Sequence, residues 1–262
     1  MNSALSNQES EAFESGLVSI ITPLYNSEEY IEETIRSVQA QTYARWEMII
    51  TDDGSTDGGF AKAQALAAQD SRIIVQKLER NGGSAKARNA GLKRARGQYV
   101  AFLDADDYYR PDFLEKQIAF LRARGPFVFA SYERLAPNSA TPFIVRARIG
   151  YAELLRGCDI SCLTALYDAR VLGKRYFRED LAKREDYAYW LALLKDTPYA
   201  FGNPECLATY RVLEGSKSRN KLKVVKYIWT VFFNVEKLGA WKSALCTVQW
   251  AWYGFKKYRD VR

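Results

Sequence analysis

Through the first half of the chain, short apolar runs rich in β-branched residues alternate with segments whose apolar positions recur at helical spacing. That is the pattern of parallel strands joined by crossover helices. Leu17 to Leu24 reads as a first strand ending at Tyr25-Asn26, and Ser27-Glu28-Glu29 starts a helix with Ile31, Ile35 and Val38 on one face. A second strand, Trp46 to Thr51, runs into Asp52-Asp53-Gly54-Ser55-Thr56-Asp57, whose Gly and Asx content marks a turn. A helix near Asp57 to Gln69, a strand from Ile73 to Leu78, a Gly82-Gly83 turn, a helix from Ser84 to Ala95 and a strand from Tyr99 to Leu103 follow. The second half is less regular. It predicts a helix starting at Pro111, strands over Phe127 to Tyr132 and Phe143 to Arg148, a short helix near Tyr151 to Leu155, an apolar stretch from Ile160 to Tyr167, a helix from about Glu185 to Lys195 and a strand near Leu207 to Arg211.

At 262 residues, 48% hydrophobic and 26% charged, the chain suits a globular protein able to bury a sizeable core. Met1 to Ser15 is polar and acidic, unlike a signal peptide, which predicts a cytoplasmic protein. Cys158, Cys162, Cys206 and Cys246 form no CxxC pair, and with no histidine present a zinc site is not indicated; they read as buried free thiols.

The net charge of +7 is unevenly spread: residues 217 to 262 hold eleven Lys or Arg against Glu236 and Asp260, a balance of +9, so residues 1 to 216 sum to −2. The same tail carries Trp229, Trp241, Trp250 and Trp252 among further Phe and Tyr. Its longest uncharged stretch, Ser243 to Phe255, has thirteen residues, too short to span a bilayer. Aromatics interleaved with Lys and Arg on helices suit the membrane interface; a pair of core-packing helices with solvated lysines has the same pattern. No recognised nucleic-acid motif accompanies the basic stretch.

Chemistry concentrates at strand ends. The run Tyr99 to Leu103 delivers the chain into Asp104-Ala105-Asp106-Asp107, three carboxylates suited to a hard divalent cation such as Mg²⁺ or Mn²⁺ whose other ligands are substrate phosphates; an acidic turn leading to the Pro111 helix is the plainer alternative. With Asp52-Asp53 this makes two acidic turns at the C-terminal ends of strands, where open α/β sheets bind ligands. Neither GxGxxG after the first strand nor a P-loop is present.

Four segments in order, Val18 to Asn26 (VSIITPLYN), Asp52 to Asp57 (DDGSTD), Asn81 to Leu92 (NGGSAKARNAGL) and Phe102 to Asp107 (FLDADD), closely resemble family 2 glycosyltransferases of the GT-A fold. The resemblance covers about residues 17 to 220. Lys183 to Lys195 (KREDYAYWLALLK) and Tyr210 to Lys221 (YRVLEGSKSRNK) are further similar to bacterial enzymes that assemble surface polysaccharides, of the teichuronic acid type. It implies an α/β GT-A fold: a Rossmann-like, mixed but mainly parallel sheet flanked by helices. A flexible N-terminus (1–16) would precede a catalytic domain (17–220), whose nucleotide-binding half is 17–107 and acceptor half 108–220, and a helical tail (221–262) would associate with the membrane.

The resemblance also assigns roles. Pro23 and Tyr25 frame the nucleobase and Asp53 hydrogen-bonds its imide, while Asp52 serves the turn. Arg88 matches the family position near the nucleotide; by local sequence both Arg88 and Lys86 fall on a helix start that suits a diphosphate, with a solvated helix face as the plainer alternative for Lys86. Asp104 meets the ribose and the metal's water shell, Asp106 contacts Mn²⁺ or Mg²⁺ directly, and Asp107 assists or caps the turn. Asp186 of the Glu185-Asp186 motif is the base of an inverting transfer, with Asp180 and Glu179 as weaker rivals. Leu213 stands where some relatives carry a histidine, and Arg211, Ser216 and Lys217 are candidates for a lid over the diphosphate. The implied reaction moves a sugar from a UDP-sugar to a lipid-linked saccharide at the inner face of the cytoplasmic membrane, with no nucleic-acid partner. A sugar nucleotidyltransferase predicts a Gly-rich first turn, which Pro23 to Asn26 lacks, and an idle membrane-bound scaffold predicts a missing acid, whereas Asp53, Asp104, Asp106 and Asp186 are all present.

Overall fold

The computed structural model describes residues 13–213 and 221–259. The first half consists of β1 (Glu14–Leu24), α1 (Ile31–Gln39), β2 (Trp46–Asp52), α2 (Gly59–Ala67), β3 (Ile73–Lys77), α3 (Ser84–Arg94) and β4 (Gly97–Phe102). The four strands are parallel in the order β3-β2-β1-β4, with Val18 of β1 opposite Trp46 on one side and Tyr99 on the other. Their alternation sorts side chains to two faces: Val18, Ile20, Met48, Ile50, Tyr99 and Ala101 pack towards α1 and α2, whereas Ile21, Ile49, Val100 and Phe102 pack towards α3.

Beyond β4 the sheet becomes mixed. β5 (Tyr108–Tyr109), α4 (Phe113–Arg124), β6 (Phe127–Ala136), β7 (Ser139–Phe143), β8 (Arg148–Ile149), α5 (Tyr151–Leu154), β9 (Leu166–Asp168), α6 (Ala169–Leu172), α7 (Glu185–Leu193) and β10 (Ala200–Arg211) complete the body. β9 inserts antiparallel between β4 and β6, and the path continues through β10 to β5. α7 carries Tyr187 to Leu191 into the core on the α3 face, where Trp190 meets Phe102 and Phe127 at ring-centroid distances of 5.7 and 5.6 Å.

Several boundaries differ from those expected. β1 begins at Glu14, whose N–H donates to Arg96 O at 2.8 Å, so residues 14–16 belong to the sheet and not to a flexible leader. The predicted strand Phe143 to Arg148 is split, pairing with β6 up to Phe143 and with β10 from Arg148. Between them the chain crosses so closely over Gly202 that a Cβ there would stand 2.1 Å from Arg146 O. β10 starts at Ala200, seven residues before the predicted Leu207, because Gly202, Asn203 and Pro204 hide its strand character and its pairing with β6 shifts register twice. Cys162 and Cys246 are buried as expected, while Cys158 and Cys206 are only part-buried, and all four are free thiols.

The tail forms α8 (Lys221–Thr230), a π-helical turn (Val231–Val235) and α9 (Ala240–Arg259). Its inner side joins the core: Ile228, Val231 and Phe232 are fully buried, and Phe232 packs edge-on against Tyr187 at 5.9 Å. Glu236, buried after the turn, accepts from Tyr151 Oη and, at 2.9 Å, from Lys195 Nζ. Among the described residues no helix is long and apolar enough to cross a membrane.

Candidate active site

β1 lies between β2 and β4, and all three run the same way, so their C-terminal ends share one edge of the sheet. Pro23 is half-buried there, and Tyr25 is 46% exposed rather than packed on the neighbouring helix. Asn26 takes the left-handed conformation at φ 47°; its N–H donates to Ser55 Oγ at 3.0 Å and its side-chain oxygen accepts from Thr56 N at 2.9 Å. The loop after β1 is thereby stitched to the Asp52–Asp57 turn. Asp52 is fully buried, 3.6 Å from Lys77 Nζ, and accepts the Ser55 N–H, a turn-holding role. Asp53 is buried too, and its two oxygens accept the N–H groups of Gly82 (2.7 Å) and Gly83 (2.8 Å). Gly83 needs its φ of +87° to present that N–H, which explains a glycine at this point. Asp53 therefore anchors the start of α3, with both oxygens engaged.

The acidic turn after β4 is held from beneath and from the side. Thr34 Oγ1 lies within hydrogen-bond distance of the carbonyls of Ala105 (3.0 Å) and Asp107 (2.8 Å). Arg211, at the end of β10, donates its backbone N–H to Asp107 Oδ1 at 2.8 Å and its guanidinium to Asp106 O at 2.7 Å, pairs with Glu33, and lies 4.7 Å from the Tyr108 ring centre. Burial, and then the charge of Asp104, push Asp106 up to about 6. Burial followed by the charges of Asp106 and Asp104 raises Asp107 well above the ordinary carboxylate range. Like charges are crowded here with too little water to screen them.

Arg88 of α3 is buried and bridges two regions: Nη2 meets Asp104 Oδ1 at 2.6 Å and Nη1 meets Glu185 Oε1 at 3.3 Å. Burial opposes the cation, but Asp104 and Glu185 more than offset it, so the guanidinium stays charged. Glu185 also accepts from Ser84 Oγ at 2.6 Å. Next to it Asp186 opens α7, its Oδ1 accepting the Tyr187 N–H at 2.8 Å; burial and the Glu185 charge raise its pKa, with Arg184 and Arg88 opposing. Arg184 precedes the helix in a left-handed conformation, φ 67° and ψ 24°, unusual for a side-chain-bearing residue and of the kind found at functional sites. Its guanidinium lies 5.3 Å from the Trp250 ring centre of α9.

The family model described as glycosyl transferase family 2 matches residues 19–180. The chain belongs to that family. It is 43% identical to the glycosyltransferase TuaG of Bacillus subtilis, named for teichuronic acid biosynthesis, over 92% of this chain and 97% of that one. It is 39% identical to WfgD of Escherichia coli, a UDP-Glc:alpha-D-GlcNAc-diphosphoundecaprenol beta-1,3-glucosyltransferase, over 82% of this chain and 85% of that one. Among solved structures it resembles Staphylococcus aureus TarS 1-349 in complex with UDP-GlcNAc, with a TM-score of 0.68 and 24% identity over 82% of this chain and 65% of that one. The mannosyltransferase PcManGT of Pyrobaculum calidifontis, in complex with GDP-Man and Mn²⁺, aligns with a TM-score of 0.64 and 19% identity over 85% of this chain and 65% of that one. The fold is GT-A-like and the protein is a glycosyltransferase, which sets aside the nucleotidyltransferase and scaffold alternatives.

In this family 2 protein the expected residues converge: Tyr25 and Asp53 border one side of the sheet edge, Asp104 and Asp106 the other, and Arg88 connects Asp104 to the Glu185-Asp186 turn. Arg88 is spent on carboxylates and is not an open cation facing solvent. Asp104 and Asp106 form an all-oxygen pair whose mutual repulsion a divalent cation would relieve, so the residues fit Mn²⁺ or Mg²⁺. Among the described residues no three His, Cys, Asp or Glu side chains gather to hold a metal ion. Asp180 pairs with Arg178 and Glu179 accepts from Asn89, so both rivals for the base have other partners. Ser216 and Lys217 lie outside the described residues. Sequence reading passed over Thr34 and Asn89; the latter holds the loop before α7 by exchanging hydrogen bonds with both backbone groups of Phe177. Asn89 stood inside the NGGSAKARNAGL segment, directly after Arg88, and that position was its one signal.

Proposed function

We propose that the protein is an inverting, metal-dependent glycosyltransferase that takes a UDP-sugar and extends a lipid-linked saccharide during assembly of a bacterial surface polysaccharide, working as a peripheral protein at the inner face of the cytoplasmic membrane. The Arg88 bridge supports this most directly, because it sets Asp104 of the donor side and Glu185, neighbour of Asp186, at two ends of one guanidinium. The names of two relatives support the substrates, one named as acting from UDP-Glc on a diphosphoundecaprenol-linked sugar and the other solved in complex with UDP-GlcNAc.

Tyr25 and Pro23 receive the nucleobase, and Asp53 holds the Gly82-Gly83 turn so that Tyr25 keeps an open face. Asp104 and Asp106 would hold the cation, which would supply positive charge against the departing diphosphate. Asp186 accepts the proton of the acceptor hydroxyl as that oxygen forms its bond to the anomeric carbon. The bond from that carbon to the diphosphate breaks on the opposite face, and its electron pair leaves with UDP, inverting the centre. A raised pKa suits the base, since a carboxylate strained by burial and a neighbouring charge takes up a proton more readily.

The test is calorimetric titration of the purified protein with UDP and with GDP, each with Mn²⁺ and with EDTA. Mn²⁺-dependent UDP binding that Asp106→Ala removes is the expected result; binding of neither nucleotide overturns the reading. UDP-sugars that bind are then assayed with a diphosphate-lipid saccharide, and the product's anomeric configuration is read by NMR.

A further inference from the structure

We infer that the outer face of α9 docks on an anionic lipid bilayer and holds the Glu185-Asp186 turn about one helix diameter from the lipid surface. This rests on the lipid-linked acceptor proposed above and names the surface that would meet that lipid. Trp241, Leu245, Val248 and Trp252 are 84%, 50%, 68% and 62% exposed. At 100° per residue they fall within an arc of roughly 60° on one side of the helix. Ser243, Cys246 and Thr247 are buried on the opposite side, and Trp250 packs there against the core. A helix that keeps Ser243 and Thr247 inside and two of its three tryptophans, with Leu245 and Val248, outside is inverted relative to ordinary patterning.

The inner face is fastened at points that matter. Tyr253 Oη donates to Asp159 at 2.5 Å, and Arg146 lies 4.9 Å from the Tyr253 ring centre while pairing with Asp159 at 2.6 Å. Trp250 receives Arg184, the residue before Glu185. An α-helix with its side chains is about 10–12 Å across, so a surface touching the outer stripe stands about that far from the base turn.

Charge selects the occupant. The tail from residue 217 carries +9 against −2 for the rest of the chain, and exposed Lys237 and Lys242 flank the stripe. Two copies meeting through this face would bring like charges together, whereas anionic headgroups complement them and accept tryptophan at the interface. The stripe spans the twelve residues from Trp241 to Trp252, about 17 Å for the rises between them at 1.5 Å each, which suits a helix lying on a bilayer and not one crossing it.

The experiment is co-sedimentation of the full chain, without donor or acceptor, with phosphatidylcholine vesicles and with vesicles containing phosphatidylglycerol, at low and high salt. Preferential, salt-sensitive binding to the anionic vesicles is expected, and Trp241→Ser/Leu245→Ser/Val248→Ser should weaken it at least about tenfold. The variant's fold is verified by a circular dichroism spectrum and thermal melt matching wild type, and Lys242→Glu, at an exposed position, gives a second, milder loss. Equal binding by the triple variant overturns the inference. So does a wild type that ignores anionic vesicles but dimerises in light scattering through the same residues. Vesicle binding that persists in a protein with no nucleotide binding leaves this surface standing while the catalytic reading falls.

Discussion

The two acidic clusters of the site are built in opposite ways. Asp104, Asp106 and Asp107 follow directly from β4, a strand buried along its whole length, and crowd one another. Glu185 and Asp186 stand on a left-handed turn whose position depends on distant residues: Arg88 and Ser84 from α3 and Trp250 from α9. The first cluster is delivered to the sheet edge by its own strand and then braced there by Thr34, Arg211 and Arg88, whereas the second sits on a turn whose place is set by tertiary contacts alone.

Separating the two chemically should give the largest effects. Asp106→Ala should abolish Mn²⁺-dependent UDP binding and turnover together, whereas Asp186→Asn should lower kcat by about three orders of magnitude with UDP affinity unchanged in calorimetry. Wild-type turnover in the Asp186→Asn protein would remove that residue from the mechanism. Arg88→Ala breaks the only described side chain that touches both clusters by ion pair, leaving partly buried carboxylates uncompensated, and should lower unfolding free energy by about 3–5 kcal/mol in urea titration.

Smaller effects sharpen the contrast. As the proposed base, Asp186 must be ionised for transfer, and because burial and Glu185 raise its pKa, activity should fall on the acid side at a pH above the ordinary carboxylate range. Glu185→Gln should move that limb to lower pH by removing the neighbouring charge; an unmoved limb would assign it to another group. Gly157→Ala places a Cβ 2.2 Å from the Tyr253 ring and should loosen α9, raising acceptor KM several-fold while UDP affinity holds. The smallest change should come from outside the site. Asp70, held at about 2 by hydrogen bonds from Arg72, contributes stability that is present above 3.8 and lost as pH falls towards 2. Arg72→Ala should flatten that part of the stability profile.

Legibility followed the same division. The crossover half was readable to within a few residues because β2 and β4 are buried along both faces and α1 repeats its apolar positions, as in Trp46 to Asp52 and Ile31, Ile35 and Val38. In the second half β9 is three residues long, β8 is two, and β10 bends through Gly202 and Pro204, so their pairing leaves almost no periodic trace. The tail showed both of its possible patterns at once, and the structure assigns them to different faces: Ile228, Phe232 and Cys246 go inward, while Trp241, Leu245 and Val248 face out.

By itself the sequence determined the α/β class, the order of the crossover elements and which carboxylates sit at strand ends, because those follow from short-range periodicity and turn chemistry. Only the tertiary structure decided that Asp53 holds the Gly82-Gly83 turn, that Arg88 spends its charge on Asp104 and Glu185, and that α9 lies against the turn carrying Asp186. Those are pairings between residues tens of positions apart. Burial makes them strong, and burial exists only once the sheet and its two helical layers have closed.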